Sequence, residues 1–332
     1  MGNIRRGLKS GMVIGATSCF ASMALAGVQF NTAADVKAIT DVETALATQT
    51  DMNKLIGYYA PDAYVQDIIA PGLYHGRKQI HESFAKQFEA VKSMKGAIQD
   101  LNIVSDGKMA CAAVRVSFDS EMKDGSKLAM SVRQLDVYKK IGTKWQIIMQ
   151  QTSVPMDPAT GMAVMNAQLP VRGPMKWSGN LFPSPAVDAV KAKEDLRHWV
   201  VNSSPIVDVD EMIKVLGPDK DALLFDLTTP GEYRGTAEIR AAYAPSMNQL
   251  KSAKIQLGDF VSESDGIFGA QQDTQSLRIV GKDDSVKVIS FRETDCFHRI
   301  NGKWVSFFES LSWPVDPKTG KSVITDPNAK FD

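Results

Sequence analysis

The spacing of apolar positions changes period along the chain, and it makes the same change twice. Residues 34–48 place Val36, Ile39, Val42 and Leu46 three and four apart, the stripe of an amphipathic helix. Residues 185–201 repeat it, with Val190-Lys191-Ala192 and Asp195 matching Val36-Lys37-Ala38 and Asp41. A short second helix is predicted over 51–59, with Asp51 placed to cap it, and over 209–216, ended by Gly217-Pro218. A third is predicted over 77–91 and over 236–249. The period then falls from 3.6 to 2. Residues 97–104, 109–118, 127–139 and 144–154 read as strands, separated by Ser105-Asp106-Gly107, Lys123-Asp124-Gly125 and Ile141-Gly142-Thr143. Ser264-Asp265-Gly266, Lys282-Asp283-Asp284 and Ile300-Asn301-Gly302 punctuate the second half in the same way. Helices followed by an antiparallel meander, twice over, predict an α+β class.

The repetition extends to individual residues. Asp62-Ala63, Asp67, Pro71-Gly72, Tyr74, Gly76 and Ile80 recur at a constant offset of 159 as Asp221-Ala222, Asp226, Pro230-Gly231, Tyr233, Gly235 and Ile239. Over residues 62–164 against 221–323 the register holds without a gap, and about a third of the positions are identical, far above chance. Each copy is long enough to own a core, so the chain reads as two fused domains. The expected boundaries are residues 27–155 and 185–332, with a proline-rich connector over 156–184 whose apolar residues predict that it lies against the domains. In each copy the Pro presets a turn dihedral and the following Gly supplies a positive φ. Where the copies diverge, as at Gln66 against Phe225, a pocket-facing pair that has separated in role is expected.

Composition narrows the picture further. Of 332 residues, 44% are hydrophobic, and 38 basic side chains balance 38 acidic ones. A zero formal charge offers no basic field for nucleic acid. Arg5, Arg6 and Lys9 precede an apolar run ending at Ala24-Leu25-Ala26, the pattern of an export signal over 1–26, cleaved after Ala26. That run is short for a bilayer span, so no membrane attachment is expected after cleavage, and the protein is expected in the periplasm or secreted. Cys111 and Cys296 do not correspond under the offset and are expected as separate core residues. His75, His81, His198 and His298 are dispersed without ligand spacing, so neither metal nor cofactor is expected.

The order of elements, the Asp before a Pro-Gly turn, the Gly opening the Ile-bearing helix, and Arg133-Gln-Leu-Asp136-Val-Tyr138 leading to Gly142-Thr-Lys-Trp145 resemble one family. It is the SnoaL-like and ketosteroid-isomerase-like branch of the nuclear-transport-factor-2-like superfamily, and the resemblance covers nearly all of both copies. It implies two cone-shaped domains, each with about three N-terminal helices on a strongly curved antiparallel sheet enclosing an apolar pocket. It also places Asp67 and Asp226 at the general base, and Asp136 and Asp295 near the protonated acid that holds a substrate oxyanion. Two carboxylates driven to different pKa by their surroundings are the established logic of that enzyme. One element departs from the pattern: the first-helix Tyr falls near Glu43 in one copy and near His198 or Trp199 in the other.

Arg133 and Arg292, candidates for ligand binding beside Asp136 and Asp295, stand an odd number of residues from them, so on a regular strand each pair faces opposite sides. Two readings stay open. One is an exported cavity protein that binds a small apolar or carbonyl-containing molecule, with isomerase, cyclase or dehydratase chemistry as its catalytic form. The other is a non-catalytic binding or assembly module, an intramolecular pseudo-dimer packed sheet to sheet. An open pocket holding a carboxylate favours the first; a filled interior, or an Asp bonded to its own turn, favours the second.

Overall fold

The computed structural model describes residues 30–177, 181–202, 206–217, 220–326 and 329–331. The expected signal segment lies outside them, as do Pro218 and residues 203–205 of the first loop in the second copy.

Helix α1 (Ala33–Thr48) starts where the Thr32 hydroxyl accepts the Asp35 N–H, and short α2 (Met52–Leu55) where Asp51 accepts from Asn53 N. A single 3₁₀ turn leads into β1 (Tyr59–Gln66), β2 (Leu73–His75) and α3 (Gly76–Phe88), followed by β3 (Val91–Ser105), β4 (Met109–Met122), β5 (Lys127–Ile141) and β6 (Lys144–Ser153). The second half repeats this plan as α4 (Ala189–Asn202), α5 (Val209–Val215), β7 (Leu223–Phe225), β8 (Glu232–Arg234), α6 (Gly235–Met247), β9 (Leu250–Ser264), β10 (Phe268–Gly281), β11 (Val286–Ile300) and β12 (Lys303–Ser312). Two six-stranded sheets result, ordered β2-β1-β6-β5-β4-β3 and β8-β7-β12-β11-β10-β9. The expected antiparallel sheet is in fact mixed. β1 runs parallel to β6 and β7 parallel to β12, because the chain crosses from the first strand to the last through a helix and the meander.

The two sheets pack face to face about a pseudo-twofold relation. One buried cluster draws Met109, Leu135 and Val137 from the first domain and Phe225, Ala270 and Phe308 from the second, with Leu181 and Phe182 of the connector between them. Paired contacts recur at the 159 offset. Ile69 bridges Val315 and Met156 bridges Thr228; Ala70 N donates to Val315 O at 3.0 Å and Thr229 N to Met156 O at 3.1 Å. Cys111 and Cys296, expected to be separate, are joined in a disulfide between β4 and β11, with Cα atoms 6.8 Å apart. The offset argument failed because packed sheets bring non-equivalent strands together.

A nearly buried square of charges also crosses the interface. Arg115 meets Asp100 and Glu232 at 3.1 Å each, and Arg234 meets the same two acids at 2.7 Å. Arg115 further donates to Pro170 O, and Arg234 to Gly173 O, which fastens the connector. Truncating Arg115 to Ala strands two acids with half their compensation, so urea unfolding of that variant is expected to show a loss of about 3–5 kcal/mol. A loss under 1 kcal/mol would mean that the square contributes no more than a surface ion pair.

Candidate functional site

Each cone has an interior facing away from the sheet-to-sheet interface, and the two interiors are built differently. In the first, Tyr138 on β5 donates to Glu43 Oε1 of α1 at 2.6 Å, Tyr59 donates to Gln150 Oε1 at 2.8 Å, and Gln134 donates to Asp136 Oδ2 at 2.6 Å. Burial pushes Asp136 up to about 7 and lifts Glu43 well above the carboxylate range, with the Asp136 charge adding to the latter. Both tyrosines are also raised by burial, so they stay neutral donors. Two amides, two phenols and two acids thus fill this interior, packed against Ile39, Val42 and Ile147, with Glu43 Oε2 and Asp136 Oδ1 left without a donor.

The second cone encloses a cavity of about 560 Å³. Its walls are mainly apolar, with Trp199 and Val200 of α4, Met212 of α5 and Phe291 and Phe297 of β11 among them. Its floor is acidic. Glu293 and Asp295 from β11 and Glu309 from β12 present carboxylate oxygens that all lie within 4.8 Å of one another. Gln275 Nε2 bonds Glu293, Gln271 Nε2 donates to Asp295 Oδ2 at 2.8 Å, and Ser306 Oγ donates to Asp295 Oδ1 at 3.2 Å. Burial raises Glu293 and Glu309 well above the carboxylate range, and Asp295 charge raises them further; Asp295 itself is raised by burial. Ionising this floor therefore needs a compensating positive partner.

The difference traces to a few substitutions between copies. Gly96 lets α1 sit directly on β3, where a Cβ would come within 1.9 Å of Ala47 O. The matching residue, Ile255, lines the cavity. Ser306 replaces Ile147, exchanging bulk for a hydroxyl on the floor, and Phe297 replaces Tyr138, removing the hydroxyl that reaches Glu43 in the first copy. The acids follow the same logic: Glu293 stands where the first copy has Gln134, and Glu309 where it has Gln150. These cavity residues were not singled out from the sequence. Their signal was present as divergence at strand positions of the same parity as Asp295.

Of the residues expected at the site, Asp295 lies on the cavity floor and Asp136 in the first cone's network. Asp67 Oδ1 accepts Ile68 N at 2.8 Å and its other oxygen takes Gln87 Nε2 at 2.5 Å, with burial raising its pKa. Asp226 likewise accepts Leu227 N at 2.8 Å and the Tyr243 hydroxyl at 2.7 Å; it reaches the cavity only through Tyr243, which lines it. Both aspartates thus spend their oxygens on their own turn and the helix that follows. The arginines face the interface, as the odd spacing requires. Arg133 Nη1 donates to Asp226 O at 2.6 Å and to Gly231 O, while Arg292 donates from Nη1 to Asp67 O at 2.5 Å and from Nη2 to Pro71 O. Each guanidinium, lowered by burial to about 10 yet still charged, holds the other domain's Pro-Gly turn. Gly231, at φ +86°, leaves room for Arg133, whose Nη1 would lie 2.5 Å from an added Cβ. Gln66 and Phe225, expected to face a pocket, lie at the interface: Gln66 lines a cleft between the domains and its Nε2 donates to Asp273 O at 2.8 Å, while Phe225 joins the shared cluster. The parity of the short first strand directs them toward the partner sheet.

Residues 36–157 match the family model described as a SnoaL-like domain. Among solved structures the chain is similar to a protein of unknown function with a cystatin-like fold from Nostoc punctiforme, at 19% identity over 39% of this chain and 95% of that one, TM-score 0.33. It is similar to an NTF2-like protein from Pseudomonas putida KT2440, at 17% identity over 44% and 100%, TM-score 0.35. It is also similar to a ketosteroid isomerase-like protein from Erwinia carotovora atroseptica, at 22% identity over 36% and 91%, TM-score 0.30. No curated protein matches the chain. With its order of helices, its sheet and its family match, the first domain is a member of the SnoaL-like family, and the second is that domain's tandem copy.

Proposed function

We propose that this is an exported small-molecule-binding protein in which the second domain holds the ligand and the first, closed domain braces it. The single observation that carries this reading is the cavity of about 560 Å³ in the second cone. That volume suits a small organic molecule, and apolar walls above a few convergent polar groups are the usual make-up of such sites. The walls would take an apolar body. An oxygen acceptor on that body, a carbonyl above all, would meet the floor through whatever positive species lies between the carboxylates. Proton transfer at this site would use Asp295 with Glu293 or Glu309 rather than Asp67 or Asp226, whose oxygens are already engaged. Export is supported by the N-terminal sequence and by the buried disulfide, which fits an oxidising compartment.

A naphthyl ketone fluorophore tests the reading. Its emission is expected to shift to the blue on saturable binding of one equivalent. Leu277→Trp, which places an indole in the cavity, is expected to weaken binding about tenfold or more, equivalent to roughly 1.4 kcal/mol. Two equivalent sites, or an affinity indifferent to Leu277→Trp, would reject an assignment to the second cone alone.

A further inference from the structure

The acceptors on the cavity floor far outnumber its donors. Beside Glu293, Asp295 and Glu309 stands Asp273, paired with Glu293 across β10 and β11 and fully buried, with neither carboxylate oxygen hydrogen bonded. The amide that favours its charged form, Gln275, also bonds Glu293, while burial and the Asp295 charge oppose that form. Gln271, 2% exposed and also lining the cavity, keeps its carbonyl oxygen without a donor. Among the described residues, no lysine or arginine lines this cavity. Two amides and the Ser306 hydroxyl donate to the acids there.

The first copy provides an internal control. At the positions of Asp273, Glu293 and Glu309 it has Val114, Gln134 and Gln150, and its one shared acid, Asp136, receives an amide at 2.6 Å. There Tyr138 and two amides serve Glu43 and Asp136, and one oxygen of each acid stays without a donor. The second copy places three acids around the same aspartate, where the first has Glu43 alone, and leaves their oxygens facing one another. Carboxylates gathered in a low-dielectric cavity, with acceptors in excess, stay ionised only when a cation matches them.

We propose that Glu293, Asp295 and Glu309 bind a hard divalent cation of the calcium, manganese and magnesium class, with Gln271 and Asp273 supporting it. An all-oxygen donor set selects hard ions over zinc or copper. Oxygens within 4.8 Å of one another are spanned by an ion whose oxygen bonds run about 2.3–2.6 Å. The protein supplies few ligands, so coordination positions face the cavity, where a ligand carbonyl would complete them. The inference thus rests on the second cone being the binding compartment and names what stands between its floor and the ligand.

The test uses the full chain, freed of bound metal with EDTA and desalted, titrated with Mn²⁺, Ca²⁺ and Mg²⁺ alone by calorimetry, with Mn²⁺ binding also read by electron paramagnetic resonance. One equivalent of Mn²⁺ or Ca²⁺ is expected to bind. Glu293→Gln with Glu309→Gln, which installs the first copy's own pair, is expected to weaken that binding at least about a hundredfold. The double variant is expected to fold, since the same residues occupy the matching positions of the closed cone, and circular dichroism in EDTA checks this. Absence of saturable binding of any of the three ions, or binding unchanged by the double variant, overturns the proposal. Saturable binding of hexylamine with no response to the metals overturns it equally and assigns the floor to an organic cation. Fluorophore binding without metal binding rejects this inference alone; metal binding without fluorophore binding rejects the small-molecule reading alone.

Discussion

Cys111→Ala combined with Cys296→Val is expected to lower stability by roughly 5 kcal/mol at most, the chain-entropy ceiling for so long a loop. The bond joins residues 185 positions apart, so it removes more freedom from the unfolded chain than any local crosslink. The two replacements are what the other copy carries at the same places, Ala270 for Cys111 and Val137 for Cys296. The core therefore changes little in volume, and the loss reports the crosslink rather than a hole. Both sulfurs are fully buried in the shared cluster, so a reductant should act on the native protein slowly and on the unfolded chain at once. Urea titration with and without reductant reads the effect. If the double variant unfolds at the urea midpoint of the oxidised wild type, the interdomain packing alone sets the stability and the disulfide is dispensable.

The second large effect is on pH. Asp106 and Asp265 are the same residue of the same turn in the two copies, and they meet across the pseudo-twofold relation. Burial first, then the hydrogen bond and charge of Asp265, push Asp106 up to about 8, so it keeps the proton that joins the pair. In the unfolded chain that proton leaves near pH 4. Between about pH 4 and pH 8 the native state therefore binds a proton that the unfolded state does not, and stability falls by up to about 1.4 kcal/mol per pH unit. The contribution is complete below pH 4 and lost as the pH passes about 8. Asp136, raised to about 7, acts in the same direction. Asp106→Asn replaces the shared proton with an amide N–H, so its urea midpoint should decline less between pH 5.5 and 7.5 than that of the wild type. Parallel declines for the two proteins would show that the pair does not share a proton.

Much of this architecture was legible along the chain. The helix period followed by the strand period gave the α+β order, and the fixed offset gave the duplication, because two domains of one ancestry keep their turn chemistry. Gly72 and Gly231 do adopt positive φ, at +51° and +86°. Parity separated Arg133 from Asp136 and Arg292 from Asp295, since a strand turns alternate side chains to opposite faces. Parity did not say which face was which. The resemblance drew attention to Asp67 and Asp226, whose hydrogen bonds turn out to be local, and passed over Glu293 and Glu309. Those two differ between the copies, and a comparison guided by identity overlooks positions that differ.

The chain by itself determined that there are two domains of one kind, which elements compose them, and where turns must fall, because these follow from local dihedral preference and from hydrophobic period. Only the tertiary structure decided which cone is open. That rests on side chains brought together from elements distant in sequence, Gly96 beneath Ala47 in one copy and Ile255 on the cavity wall in the other. It likewise decided the disulfide and the crossed arginines, because packing one sheet on another brings together residues whose meeting depends on the relative position of two whole domains.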